Sequence, residues 1–235
     1  MKIYNATLFA ALSLATLLGA CSKDTEGLTR ITYYPVIELE GSAYEMADAG
    51  QPFKDPGFKA SLDGEDITDK VSVKTSMDME NPAPGYYTVT YSATNADGFS
   101  TSAVRHVLVA DADDAASGYY TTDPESYRDY SGITYYGASY SIVVYGNGDG
   151  TYAVSDLLGG WYAQRAGYGD TYAMTGEVEI DADGNISLID SYLEGWGDSL
   201  TSLTDGKFDA DTGVMSWDVE YTEYPFIFHV IMQKD

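Results

Sequence analysis

Tyr140-Ser141-Ile142-Val143-Val144-Tyr145-Gly146-Asn147-Gly148-Asp149-Gly150-Thr151-Tyr152-Ala153-Val154-Ser155 reads as two strands folded back across a turn. β-Branched and aromatic residues fill both arms, as a pleated, half-buried surface prefers. The segment between them holds three glycines, an Asn and an Asp, residues that tolerate the positive φ of a tight hairpin. The same pattern recurs twice. Residues 177–180 and 186–189 flank Asp181-Ala182-Asp183-Gly184-Asn185, and residues 207–208 and 214–221 flank Asp209-Ala210-Asp211-Thr212-Gly213. Residues 226–232 supply a closing strand. Consecutive hairpins predict an antiparallel meander, closed as a small barrel or folded as a sandwich.

Upstream the alternation continues in shorter pieces. Val71-Ser72-Val73-Lys74-Thr75 and Tyr87-Thr88-Val89-Thr90-Tyr91-Ser92-Ala93 each alternate apolar and polar, Asn95-Ala96-Asp97-Gly98 is a turn cluster, and residues 104–109 form another strand. Short strands at this spacing predict a sandwich. Pro35-Val36-Ile37-Glu38-Leu39, Phe53-Lys54-Asp55-Pro56-Gly57-Phe58, Gly64-Glu65-Asp66-Ile67-Thr68 and Pro84-Gly85-Tyr86-Tyr87 resemble, in order, the bacterial immunoglobulin-like modules of extracellular proteins. The resemblance implies a spacer or binding platform. The fold class expected is therefore all-β, with an immunoglobulin-like β-sandwich (28–110), a linker (111–118) and a C-terminal β-domain (119–235). The linker assignment rests on Asp111-Ala112-Asp113-Asp114-Ala115-Ala116-Ser117-Gly118, which lacks large apolar residues.

The N-terminus carries an address. Lys2 precedes an apolar run from Leu8 to Leu18 that is short for a membrane span and ends in small residues, the pattern of a signal peptide over residues 1–20. Leu17-Leu18-Gly19-Ala20-Cys21 resembles the bacterial lipobox, which implies a diacylglyceryl thioether on Cys21 and membrane attachment through acyl chains. An incidental cysteine beside a different cleavage site is the alternative. Cys21 is the only cysteine, so no internal disulfide forms. Ser22-Lys23-Asp24-Thr25-Glu26-Gly27 looks like the acidic tether of surface-exposed lipoproteins in Bacteroidetes-type bacteria, and residues 21–27 are read as lipidated Cys and tether.

Composition excludes several partners. The 235 residues carry 37 Asp and Glu against 12 Lys and Arg, a net charge of −25, which repels phosphate backbones and anionic bilayers alike. Nucleic acid is therefore not an expected partner. No cofactor and no metal is expected. The acidic turns are typical hairpin turns; the one at Asp181 resembles the start of a calcium loop, but the twelfth position holds Tyr192 in place of the bidentate Glu. His106 and His229 sit inside apolar strand runs, and neither has metal-ligand spacing or a nucleophile elbow around it, so no catalytic residue is assigned.

The 22 tyrosines and three tryptophans carry the site expectations. Sugar rings pack C–H faces on flat aromatics, and their hydroxyls need amides and carboxylates. Gly159-Gly160-Trp161-Tyr162-Ala163-Gln164-Arg165-Ala166-Gly167-Tyr168 breaks the strand alternation and reads as a loop presenting Trp161, Tyr162 and Tyr168 beside Gln164 and Arg165. Gly195-Trp196-Gly197-Asp198 is a second such setting. The expected glycan contacts are Trp161, Tyr162, Gln164, Tyr168, Trp196 and Asp198, with core packing of Trp161 and Trp196 as the competing outcome. Trp217 shares a strand face with Met215, Val219 and Tyr221 and reads as core. Ser155 to Tyr162, Trp196-Gly197-Asp198-Ser199 and Thr212 to Trp217 resemble the C-terminal domain of lipoproteins encoded beside Sus-type glycan importers. That resemblance implies a non-enzymatic outer-membrane lipoprotein facing the cell exterior, accessory to glycan uptake and in contact with a glycan or an importer complex. A structural subunit without sugar affinity and a glycoside-active enzyme are the alternatives.

Overall fold

The structure, a computed structural model, describes residues 31–221 and 225–235. The leader, Cys21 and the tether lie outside the described residues. Among the described residues no helix is long and apolar enough to cross a membrane.

The first unit is a two-sheet sandwich. Strands β1 (Val36–Leu39), β3 (Phe58–Leu62) and β4 (Glu65–Asp66) form one sheet. Strands β2 (Tyr44–Asp48), β7 (Ser100–Ala110), β6 (Gly85–Thr94) and β5 (Ser72–Thr75) form the other, with β2 parallel to β7. Val89, Tyr91, Val107 and Val109 point between the sheets and meet Ile37, Leu39, Phe53 and Phe58. Arg105 is fully buried there. Its guanidinium donates to the carbonyls of Ser42 at 2.6 Å, Glu40 at 2.8 Å and Gly57 at 2.8 Å, and lies 3.4 Å from Asp55, which satisfies the charge and pins three chain segments.

The second unit is one ten-stranded sheet that curls on itself. Its strands are β8 (Gly118–Thr122), β9 (Tyr127–Asp129), β10 (Ile133–Tyr135), β11 (Ser141–Gly146), β12 (Thr151–Val154), β13 (Met174–Ile180), β14 (Ile186–Leu193), β15 (Leu200–Asp209), β16 (Val214–Tyr221) and β17 (Ile227–Lys234). β11 to β14 run as a meander, as do β15 to β17, and β8 joins the two between β11 and β17. β9 pairs with β17 and carries β10 at its outer edge, and the two other edge strands, β14 and β15, meet at an Asn185–Lys207 bridge and at the Phe208 N–H to Gly184 carbonyl bond of 2.7 Å. The three hairpins read from the sequence are the β11–β12, β13–β14 and β15–β16 pairs. Inward positions fill the interior with apolar side chains, including Ile142, Val144, Val178, Met215, Trp217, Val219, Phe228 and Val230, so the curled sheet holds a packed core. Trp217 is core, and its indole N–H donates to the Leu157 carbonyl at 2.8 Å.

The segment 111–118 is more structured than its composition foretells. Ala116 and Ser117 are buried, Ala116 joins the core of the curled sheet, and β8 already begins at Gly118. Asp114 organises the stretch by accepting from the Ala116 and Ser117 N–H groups and from the Tyr152 hydroxyl at 3.1 Å. The units also touch through rings. His106 stacks between Tyr44 and Tyr86 at 5.1 and 5.6 Å, and Tyr119 meets both tyrosines edge-on. This explains why Val107 to Ala110 is buried on both faces of β7. Small residues read as a linker because they carry little apolar area; here their backbone and Asp114 do the packing.

Candidate aromatic binding face

The connection from β12 to β13 builds the site. Asp156, 2% exposed, accepts the N–H groups of Leu158 at 2.9 Å, Met174 at 3.1 Å and Gly160 at 3.1 Å. Burial raises its pKa to about 6, against the lowering effect of these three donors. The turn is tied to the barrel by Tyr136 and Thr122, whose hydroxyls donate to the Leu158 and Gly159 carbonyls at 2.6 and 3.1 Å. Gly159 and Gly160 follow with φ of 59° and 85°. A Cβ on Gly160 would sit 2.6 Å from Tyr140, so only glycine fits this close approach. Trp161–Arg165 then forms one π-helical turn, with the Arg165 N–H on the Gly160 carbonyl at 2.9 Å.

That path decides the tryptophans. The two glycines turn Trp161 into the barrel mouth, where it is 4% exposed and packs edge-on against Tyr136 and Phe228. The expectation of Trp161 as a presented ring face is corrected: its indole is core. Gln164 is corrected too. Its amide is committed to the start of β11, donating to the Ser141 carbonyl at 2.8 Å and accepting the Ser141 N–H at 3.1 Å.

Trp196 behaves differently. It lies in the β14–β15 connection and is 45% exposed. Tyr162, Tyr172 and Tyr168 meet it edge-on, with ring centres at 4.8, 5.0 and 6.2 Å and planes near perpendicular. Tyr168 is itself 55% exposed. Gly195 permits this assembly because the Tyr172 ring occupies the place of a Cβ, 2.6 Å away. Asp198 lies two residues on, half-buried, and accepts the Tyr221 hydroxyl at 3.2 Å. The structure thus brings Tyr162, Tyr168, Trp196 and Asp198 to one end of the barrel and adds Tyr172, which sequence reasoning did not single out. The Thr171-Tyr172 pair gave no signal of its own; its role comes from a Gly195 N–H to Thr171 carbonyl bond of 2.7 Å that joins two distant loops.

The acidic turns serve the fold. Asp149 accepts the Thr151 hydroxyl and N–H, Asp181 the Asn185 side-chain amide and N–H, and Asp209 the Thr212 and Asp211 N–H groups, which holds their carboxyls below the usual range. Among the described residues no group of three or more side chains could hold a metal ion. His229 pairs with Asp218 at 2.5 Å on the barrel's outer face and stacks on Tyr127.

Comparison places this geometry. A family model for a C-terminal domain matches residues 109–234, and the model of the bacterial surface protein Ig-like domain matches residues 37–109. The crystal structure of the lipoprotein BT2262 from Bacteroides thetaiotaomicron is 39% identical, with a TM-score of 0.76, and the match covers 86% of this chain and 100% of that one. A structure of the M60 catalytic domain with CBM51 domains from Clostridium perfringens ZmpB is 17% identical, and the match covers 86% of this chain and 21% of that one at a TM-score of 0.28. No curated protein matches. The chain belongs to the family of the BT2262 lipoprotein, a surface-protein architecture with an immunoglobulin-like domain ahead of a curled β-sheet domain.

Proposed function

We propose that this chain is a non-catalytic, outer-membrane lipoprotein that holds a glycan at the cell surface on the Trp196 face, as an accessory to an importer. The observation that carries the reading is the half-exposed Trp196 indole, fixed in orientation by three tyrosines. A preorganised flat ring loses little entropy on binding and can cover a pyranose face, burying apolar area worth roughly 25 cal/mol per Å². Exposed Tyr168 extends the surface, and Asp198 at its rim can accept sugar hydroxyls. The lipobox around Cys21 and the surface-protein architecture support the location.

A glycan array probed with the purified protein in detergent tests this. Binding by the wild type, lost in Trp196→Ala, is the expected result. No binding to any glycan would favour the structural or partner-binding subunit instead. Glycan cleavage during the assay would favour an enzyme.

A further inference from the structure

Two arginines converge on the buried tryptophan beside this face. The guanidinium carbon of Arg165 lies 4.1 Å from the Trp161 ring centre, and that of Arg128 lies 4.8 Å from it. Arg165 is exposed and donates to the carbonyls of Tyr136 at 3.1 Å and Tyr135 at 3.3 Å. Arg128 is half-buried, covers Phe226 at 5.2 Å and faces the Tyr162 hydroxyl. Its Nε is buried with no hydrogen-bond partner. Among the described residues neither guanidinium has a carboxylate within ion-pair distance, whereas Lys59 and Arg105 do. What sets these two apart from the unpaired surface lysines is that both guanidiniums lie over one buried indole and that the Arg128 Nε is itself buried. A partly desolvated guanidinium is costly unless an anion meets it, and its planar fork matches the oxygens of a carboxylate or a sulfate.

Tyr162 links this pair to the binding face, since its ring abuts Trp196 at 4.8 Å and its hydroxyl faces Arg128. We propose that Arg128 and Arg165 form an anion subsite that selects acidic glycans, taking the carboxylate or sulfate ester of a sugar held on Trp196. This rests on the glycan-binding reading and narrows its ligand class. The net charge of −25 does not forbid such a ligand, because at physiological ionic strength exposed charges are screened beyond about 8 Å.

The test compares charged glycans with their neutralised twins, using the purified protein in detergent and titration calorimetry. The probes are galacturonic-acid oligosaccharides and their methyl esters, chondroitin sulfate and its desulfated form, and neutral mannan and dextran. The expected result is binding of at least one acidic probe about tenfold tighter than its neutralised twin. Arg165→Gln and Arg128→Gln should each erase that preference. Arg165 is the more exposed of the two, so its variant should lose only the Trp161 stacking and two carbonyl bonds, stay folded, and remain informative if Arg128→Gln is unstable. The two acidic arms identify the anion as carboxylate or sulfate. Equal binding of charged and neutralised forms, or a preference that survives Arg165→Gln, would overturn the subsite and leave the glycan reading intact. Failure of every probe, neutral ones included, would overturn both.

Discussion

Truncating Trp161 should open a hole in the barrel mouth. The side chain is 4% exposed and lies among Tyr136, Phe228 and two guanidiniums. Trp161→Ala is expected to cost roughly 3–5 kcal/mol in chemical denaturation, as buried aromatic truncations do. Trp196→Ala should cost less than about 1 kcal/mol by the same assay, since the ring is 45% exposed. Equal losses would mean that the two indoles share one role. Asp156 gives a second residue-scale expectation. Its folded pKa of about 6 lies above the ordinary carboxylate value, so its contribution favours the folded state below about pH 4 and fades as pH rises to 6. His106 acts in the opposite sense: burial lowers its pKa, so its contribution fades as pH falls. Comparing wild type with Asp156→Asn isolates the carboxyl. The stability difference between them should shift against the wild type by about 3 kcal/mol between pH 4 and 7 and then level off. A difference flat with pH would show that the three N–H donors hold the carboxylate ionised at no cost.

At the scale of elements, the hairpins were legible because each turn announces itself in consecutive residues and each strand in its alternation. The β11–β12, β13–β14 and β15–β16 pairs needed no distant information. The segments 111–118 and 155–173 were not legible in the same way. Ala116 and Ser117 are buried through backbone and side-chain bonds to Asp114, and Trp161 is turned inward by glycines whose conformation depends on Asp156 and Tyr140. Gly-flanked aromatics look the same in sequence whether the chain dives into a barrel or arches over it. Asp114→Ala should remove the acceptor of two N–H groups and of the Tyr152 hydroxyl. The expected cost is about 1–3 kcal/mol, with increased proteolysis between residues 111 and 118. Wild-type stability and protease resistance in this variant would contradict the view that Asp114 orders the junction.

At the scale of the whole molecule, an immunoglobulin-like sandwich and a curled sheet meet through Tyr44, Tyr86, His106 and Tyr119. The all-β class and the order of the two units were readable from alternation and turn spacing. Their contact was not, because it is made by tyrosines and a histidine that suit surface and seam equally. The binding end of the barrel was readable only in part. Trp196, Tyr162 and Tyr168 come together, while Gln164 and Trp161 are held by the fold itself. The proposed role joins a lipid anchor at one end of the chain to an aromatic face at the other. Retention of fluorescent oligosaccharides by intact cells tests that union most directly, measured for wild type, Cys21→Ser and Trp196→Ala after protein levels are matched. The wild type should hold both protein and glycan at the cell surface, Cys21→Ser should release the protein, and Trp196→Ala should keep the protein in place without the glycan. Cell-bound Cys21→Ser, or glycan retention by Trp196→Ala equal to the wild type, would contradict it.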